Sequence, residues 1–233
     1  MSFGGKRALV TGAGSGIGAA TARSLTHAGA EVIVADLAPH TVADELGAVA
    51  LELDVRDESQ VAEAMRDLDV LVNAAGIGST TNGPETPLEV WENVFAVNAR
   101  GTFLCCKHAI PGMVARGGGS IVNVASIAAL VGLRNRAAYS ASKGAVIALT
   151  RALAVDHVTD AIRVNAVAPG TVDSPWVRRL VEEAGESLDT LRARQPLNRL
   201  GTPEEIADAI LYLAGAEFVT GTILVIDGGL TAA

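Results

Sequence analysis

Three residues in the middle of the chain have the types needed to move a proton to or from an oxygen: Ser126, Tyr139 and Lys143. Tyr139 and Lys143 stand four apart in Tyr139-Ser140-Ala141-Ser142-Lys143, so on a helix they share a face, one turn apart. A phenol beside an ammonium group is an acid/base pair. The positive charge favours phenolate and is expected to lower the tyrosine pKa towards working pH. Ser126 follows the apolar run Ser120-Ile121-Val122-Asn123-Val124-Ala125, which reads as a buried strand. A strand end and a helix face can therefore converge, leaving the serine hydroxyl to hold a substrate oxygen. The Y-x-x-x-K spacing alone equally describes a half-buried tyrosine with a solvated lysine, so the elements around it decide.

The chain opens with a strand, Arg7-Ala8-Leu9-Val10-Thr11, which runs into Gly12-Ala13-Gly14-Ser15-Gly16-Ile17-Gly18 and an Ala-rich helix stopped by Gly29. Gly12, Gly16 and Gly18 carry a T-G-x-x-x-G-I-G pattern. Glycine serves where the backbone turns tightly or a phosphate comes close, and the helix start offers N–H groups to a pyrophosphate. Strand, loop, helix and a further strand in this order mark a dinucleotide site. That further strand, Glu31-Val32-Ile33-Val34-Ala35, ends at Asp36, eighteen positions after Gly18. A carboxylate there accepts the ribose hydroxyls and repels a 2′-phosphate, which argues for NAD over NADP. The other reading of Asp36 is a cap for the helix after Pro39.

A third strand, Val49 to Leu53, ends at Asp54, which either faces the adenine amino group or satisfies a turn. Asp57 and Gln60 look like a helix cap. Val70-Leu71-Val72 is a fourth strand; it leads into Asn73-Ala74-Ala75-Gly76, where Asn73 is expected to brace the sheet through backbone groups. Thr86-Pro87-Leu88-Glu89 reads as the capped start of a long helix. Asn98 and Gly101, poor helix formers by about 0.7 and 1 kcal/mol, predict a distortion or a close approach within it. Pro111-Gly112 and Gly117 to Gly119 punctuate the chain before the fifth strand. Ala137 to Asp156 is the helix that carries Tyr139 and Lys143. A sixth strand, Ala161 to Val167, leads to Pro169-Gly170. The polar, arginine-rich stretch 171–198 is either a lid over the site or a solvated surface segment. Thr202-Pro203-Glu204-Glu205 is a second capping box, and Ile223 to Asp227 a seventh strand.

Seven apolar strands alternating with helices predict a single α/β domain over 1–233, a Rossmann-type doubly wound parallel sheet covered on both faces. Gly12, Asp36, Asp54, Asn73, Ser126 and Pro169 all fall at strand ends, the edge where such sheets bind ligands. With 233 residues, 49% hydrophobic and 19% charged, the composition is that of a globular domain. The net charge of −8 speaks against nucleic acid or an anionic membrane as partner. Neither a membrane span nor a signal segment is evident, which predicts a cytoplasmic protein. Cys105 and Cys106 are adjacent and read as reduced helix residues, and the four histidines form no metal motif.

Together these residues resemble the classical short-chain dehydrogenase/reductase family over nearly the whole chain. The resemblance rests on T-G-x-x-x-G-I-G at Thr11–Gly18, N-A-A-G at Asn73–Gly76, Asn98, Ser126, Y-x-x-x-K at Tyr139–Lys143 and P-G at Pro169-Gly170. It implies an oxidoreductase passing a hydride between nicotinamide and a secondary alcohol or ketone. Ser126 would orient the carbinol and Tyr139 transfer the proton. Lys143 would lower the tyrosine pKa and hold the nicotinamide ribose, and the Asn98 backbone would support a water relay. It further implies cofactor contacts from Gly12, Ser15, Gly16, Ile17, Gly18, Asp36, Asp54 and Val55. Others come from Asn73, Ala74, Gly76, Pro169, Gly170, Val172 and Ser174, the last replacing the family's usual threonine. A homotetramer paired through the helices starting near Thr86 and Ala137 is the implied assembly.

Asn135-Arg136-x-x-Tyr139 and Pro169-Gly170-Thr171-Val172-Asp173-Ser174-Pro175 resemble a smaller group, which includes 2-keto-3-deoxy-L-fuconate and type 2 3-hydroxybutyrate dehydrogenases. That likeness places Arg136 and Arg194 on a substrate carboxylate, a role that suits a planar guanidinium. The stretch Trp176–Leu180 departs from the group. The expected substrate is a small hydroxy acid or sugar acid. The competing readings are reduction of 3-oxoacyl groups on a carrier protein and a non-catalytic dinucleotide sensor.

Overall fold

The computed structural model describes residues 1–184 and 187–233; residues 185 and 186 of the predicted lid lie outside the described residues. Seven strands form one sheet: β1 (Arg7–Thr11), β2 (Glu31–Asp36), β3 (Val49–Glu52), β4 (Val70–Asn73), β5 (Gly119–Val124), β6 (Ile162–Pro169) and β7 (Ile223–Ile226). Every pairing is parallel, in the order β3-β2-β1-β4-β5-β6-β7. The order reverses between β1 and β4, and at such a switch point diverging connections leave a crevice above the strand ends.

Alternation within the strands builds two cores. Ala8, Val10, Val32, Val34, Val70, Val72, Val122 and Val124 face one side. There they meet α1 (Gly16–His27) and α9 (Pro203–Gly215) through Leu25, Ile206, Ile210 and Leu213. Leu9, Ile33, Leu71 and Ile121 face the other side, against α3 (Glu58–Ala64), α5 (Thr102–Ala115) and α6 (Ala137–Asp156). Successive side chains of a strand point to opposite faces, so near-continuous apolar runs are what a sheet buried on both sides requires.

The remaining helices are α2 (His40–Leu46), α4 (Leu88–Phe95), α7 (Pro175–Ala184) and α8 (Leu188–Ala193). Asp57 caps α3 as expected, accepting from the Ser59 and Gln60 N–H groups, and Thr202 with Glu205 forms the capping box of α9. Two boundary expectations are corrected. Thr86 does not cap α4: its hydroxyl donates to the Asn82 carbonyl at 2.6 Å, and the extended Pro87 stands at the cap instead. Pro111 does not end its helix, because α5 continues through it to Ala115. Between α4 and α5, residues Ala96–Gly101 form a π-helical turn, the distortion that Asn98 and Gly101 foretold. Among the described residues no helix is long and apolar enough to cross a membrane, and no group of three or more His, Cys, Asp or Glu could hold a metal ion.

Candidate active site

One register row, Leu51, Ala35, Thr11, Asn73, Asn123, Ala166 and Ile223, crosses the whole sheet just below its carboxyl edge. One step further lie Asp36, Gly12, Ala74 and Val124, so the predicted strand-end residues do share one edge. At the switch point the Thr11 hydroxyl accepts from the Ala74 and Ala75 N–H groups, both at 3.2 Å. This draws the two loops together so tightly that a Cβ on Gly12 would stand 2.7 Å from the Ala75 backbone.

The glycine-rich loop fits a dinucleotide. Ser15 occupies the N-cap of α1 but makes no side-chain cap, so its hydroxyl leaves the first-turn N–H groups to an outside acceptor. Asp36 accepts from the Gly14 N–H at 2.9 Å and the Ala38 N–H at 3.1 Å, which fixes a carboxylate beside the loop. Gly14 is a site residue that the motif reading passed over: a Cβ there would stand 2.8 Å from the Asp36 carboxyl carbon. Its signal was an acidic strand end facing an unassigned glycine of the loop. Gly18 packs on the Gly12 carbonyl, and Gly16 (φ +52) faces Ser174. Ile17 is half-buried against the core at the start of α1. Ser174 is buried, and its hydroxyl accepts from the Val177 N–H at 3.3 Å, which anchors the lid next to the loop. Val172 is buried and pairs as a bridge with Gly201. Pro169 closes β6, and the Gly170 N–H donates to Ile226 at 2.9 Å.

On this edge Asp54 follows one of its two readings, and Asn73 departs from its expectation. Both Asp54 carboxylate oxygens engage the Arg56 guanidinium, at 2.7 Å for the closest pair, and one accepts from the Arg56 N–H. The turn reading therefore describes its side chain, and the Arg56 bonds hold its pKa below the usual carboxylate value. Val55 turns inward onto Gly101, where a Cβ would meet it at 2.8 Å. Asn73 braces the sheet through side chains and not through backbone: its amide donates to Asn123 Oδ1 at 2.9 Å, and Asn123 donates on to Thr150 at 2.9 Å. Side chains of register partners on one face are near enough to bond directly. Cys106 abuts the same amide, and burial in this apolar setting pushes its thiol up to about 12, which makes it unreactive.

Beyond β5, Ser126 begins a short 3-10 turn, and its hydroxyl accepts from the Ala128 N–H at 3.1 Å. It is also near enough to Tyr139 to favour the ionised phenol. Lys143 lies one turn along α6, 4% exposed, with Nζ 5.9 Å from the Tyr139 ring centre. Nζ donates to the Val124 carbonyl at 2.7 Å, and burial pushes its pKa down to about 8. The expected lowering of the Tyr139 pKa is overturned. Desolvation raises it, outweighing the Ser126 hydroxyl and the nearby Arg136 charge.

Asn98 is fully buried in the π turn. Its side chain pins Ile77 from both sides: Oδ1 accepts from the Ile77 N–H and Nδ2 donates to the Ile77 carbonyl, each at 2.8 Å. Nδ2 also reaches Ser142 Oγ at 2.9 Å, which ties the loop after β4 to the helix of Tyr139 and Lys143. A Cβ on Gly76 would stand 3.3 Å from Lys143 Nζ and 3.4 Å from Asn98 Oδ1, so these three meet at one point. The Asn98 carbonyl accepts from the Thr102 hydroxyl at 2.8 Å. Arg136, just before α6, donates to the Ser79 carbonyl at 2.9 Å and is close enough to act on Tyr139 by charge. Trp176 of α7 lies 6.0 Å from Tyr139, ring centre to ring centre, and packs against Gly78. Arg194, by contrast, is an exposed residue at the C-terminal end of α8.

Residues 12–231 match the family model described as Enoyl-(Acyl carrier protein) reductase. The chain is 44% identical to the cis-4-hydroxycyclohexanecarboxylate dehydrogenase of Sinomonas cyclohexanicum, over 99% of this chain and 98% of that protein. It is 38% identical to the 2-keto-3-deoxy-L-fuconate dehydrogenase of Xanthomonas campestris pv. campestris, over 97% of this chain and 80% of that protein. A solved structure from Beutenbergia cavernae, provisionally named an NAD(P) dependent gluconate 5-dehydrogenase and holding NADP at low occupancy, superposes with a TM-score of 0.94. It is 38% identical, with 100% of this chain and 99% of that one covered. Sheet order, strand-end loops and these likenesses agree: the chain belongs to the short-chain dehydrogenase/reductase family and is an oxidoreductase acting on hydroxy or keto substrates.

Proposed function

We propose that the protein is an NAD-dependent dehydrogenase of a small hydroxy acid or sugar acid, working as a homotetramer. The observation that carries the acid reading is Arg136, a cation beside Tyr139 on the rim of the cleft. Three relatives whose names specify hydroxy or keto acids support it. Asp36 supports NAD, since its carboxylate stands beside the glycine-rich loop, where a 2′-phosphate would meet like charge.

The loop 12–18 with the start of α1 would hold the pyrophosphate, Asp36 the adenosine ribose, and Gly76, Lys143, Pro169, Gly170, Val172 and Ser174 the nicotinamide half. Bound NAD supplies the hydride acceptor. Ser126 holds the carbinol oxygen while Tyr139 takes its proton. The Ser126 hydroxyl and the Arg136 charge favour the phenolate, against a larger desolvation effect that keeps the phenol protonated. Asn98 holds the loop and the catalytic helix in register. Arg194 would join the carboxylate as the lid closes.

The test is NADH formation against paired alcohols with and without a carboxylate, run with NAD and with NADP, on the wild type and on Arg136→Ala. The expected outcome is selectivity for NAD and for acids, with kcat/KM on acids falling about 100-fold in the variant, the worth of a charge-assisted pair. Equal use of neutral alcohols would remove the acid reading, and preference for NADPH would favour the carrier-protein ketoreductase instead. Cofactor binding without turnover of any alcohol or ketone would favour the sensor.

A further inference from the structure

The stretch Trp176–Leu180, which departs from the acid-dehydrogenase group, lies in the lid helix α7, and it brings its first residue to the phenol. The Trp176 and Tyr139 ring centres are 6.0 Å apart, with the planes tilted by 41°. Both residues are half-buried, so each keeps accessible surface. The indole is held in this place from two directions. Behind it, Val177, Leu191 and Leu200 form a small core within the lid, and Trp176 packs against them. Arg178 donates to both Asp173 carboxylate oxygens, at 2.7 and 2.9 Å, which ties α7 to the chain leaving β6. Beneath it lies Gly78. A Cβ there would collide with Trp176 Cζ2 and stand 3.1 Å from Cη2 and 3.4 Å from Cε2. Those are the three nearest atoms, so the missing side chain at 78 is what lets the indole reach in. Asn98 pins the neighbouring Ile77 at both backbone groups, which keeps this seat fixed. A large, rigid apolar plate therefore stands against the phenol on the lid side.

We propose that Trp176 is a specificity-determining residue whose indole walls the lid side of the Tyr139 phenol and admits only a short apolar group on one substituent of the carbinol carbon. The substrate class is a compact secondary alcohol, or its ketone, that is alkyl on that side. A polyol would bury a hydroxyl there unpaired against the indole. This assignment deepens the dehydrogenase reading above and rests on Tyr139 as the proton acceptor, not on a carboxylate at Arg136.

The experiment takes the best alcohol of the panel, two homologues lengthened by two methylenes on one or the other side of the carbinol, and a hydroxylated analogue of each side. Cofactor reduction is followed for wild type, Trp176→Ala, Trp176→Phe, Gly78→Ala and the Gly78→Ala/Trp176→Ala double variant. The readout is the ratio of kcat/KM for analogue over parent, which a partial loss of folded enzyme does not move because it scales both alike. In wild type the ratio is expected to fall about 100-fold for the longer group on one side of the carbinol, and about 10-fold for the hydroxyl on that side. Trp176→Ala is expected to recover at least ~10-fold for the longer group on that side only, and Trp176→Phe, which keeps a ring in the lid core, about 3-fold. Gly78→Ala is expected to shift the ratio in wild type and not in the Trp176→Ala background, since the new methyl meets the indole before anything else. Ratios that are the same in wild type and in both Trp176 variants overturn the wall, and so does an equal recovery on both sides, which is the mark of a loosened lid. A Gly78→Ala shift that persists without the indole overturns Gly78 as its seat. A wild type that turns over no alcohol or ketone overturns the dehydrogenase reading and the wall together.

Discussion

Lys143 is where folding and chemistry compete for one residue. Its pKa falls from 10.5 to about 8 because the ammonium is buried. At roughly 1.4 kcal/mol per unit this is ~3 kcal/mol charged against the fold while the lysine stays ionised. The folded pKa lies below the unfolded one, so the unfolded chain binds the proton more firmly. The cost is therefore in force below about pH 8 and is relieved as pH rises towards 10.5. Cys106 and Tyr139 are raised by burial and act in the opposite sense at high pH, so the wild type alone would show a mixture. The difference between wild type and Lys143→Met isolates the lysine. Urea unfolding is expected to show wild type gaining up to ~3 kcal/mol on the variant between about pH 7 and pH 10.5, and turnover is expected to fall at least ~100-fold. A stability difference that stays flat across that range would mean that the buried charge is not what titrates. Spacing put Tyr139 and Lys143 on one helix face and Ser126 at a strand end, and the structure brings the three together. The direction of the tyrosine shift was not legible, because the motif records the charge nearby and not the water excluded by the fold.

At the scale of elements, the π turn of Ala96–Gly101 does the positioning. An extra residue in one helical turn, placed where Gly101 lets Val55 approach, brings the Asn98 amide to Ile77 and Ser142. Asn98→Ala would leave the Ile77 N–H and carbonyl without their partners. The expected cost is about 2–4 kcal/mol, read as a lower urea midpoint, since each buried group left unpaired is worth roughly 1–3 kcal/mol. Turnover is expected to fall about 100-fold through loss of register between loop and α6, a displacement of the kind that costs this much. Unchanged stability and turnover would show that the clamp is redundant. The sequence announced a distortion here through two poor helix formers. It could not name Ile77 as the partner, because that contact joins residues far apart in the chain. Thr86 shows the converse: its capping pattern is local and correct in type, but a hydrogen bond to Asn82 took the hydroxyl away.

At the scale of the molecule, apolar side chains remain outside the two cores. Leu88 (70% exposed), Trp91 and Phe103 stand on the α4–α5 helix, and Leu88 and Trp91 line a groove with Gly83, Thr86 and Ala137 at the start of α6. Burial of such residues stabilises an interface at about 25 cal/mol per Å² of apolar surface. The proposed tetramer would pair subunits through these two helices. Sedimentation velocity is expected to show a tetramer for wild type and smaller species for Leu88→Asp/Phe103→Asp. A wild-type monomer at micromolar concentration would remove the assembly from the proposal.

The sequence by itself determined the parallel sheet, its strand-end edge, the glycine-rich loop and the serine, tyrosine and lysine, because each is written in short-range periodicity or fixed spacing. Only the tertiary structure decided which residues share an environment. It set Asp36 against Gly14, turned Asp54 to Arg56, linked Asn73 to Asn123 and brought the Trp176 ring to 6.0 Å from that of Tyr139. Those relations depend on how far the chain returns on itself and how much water it excludes, and neither quantity is carried by neighbouring letters.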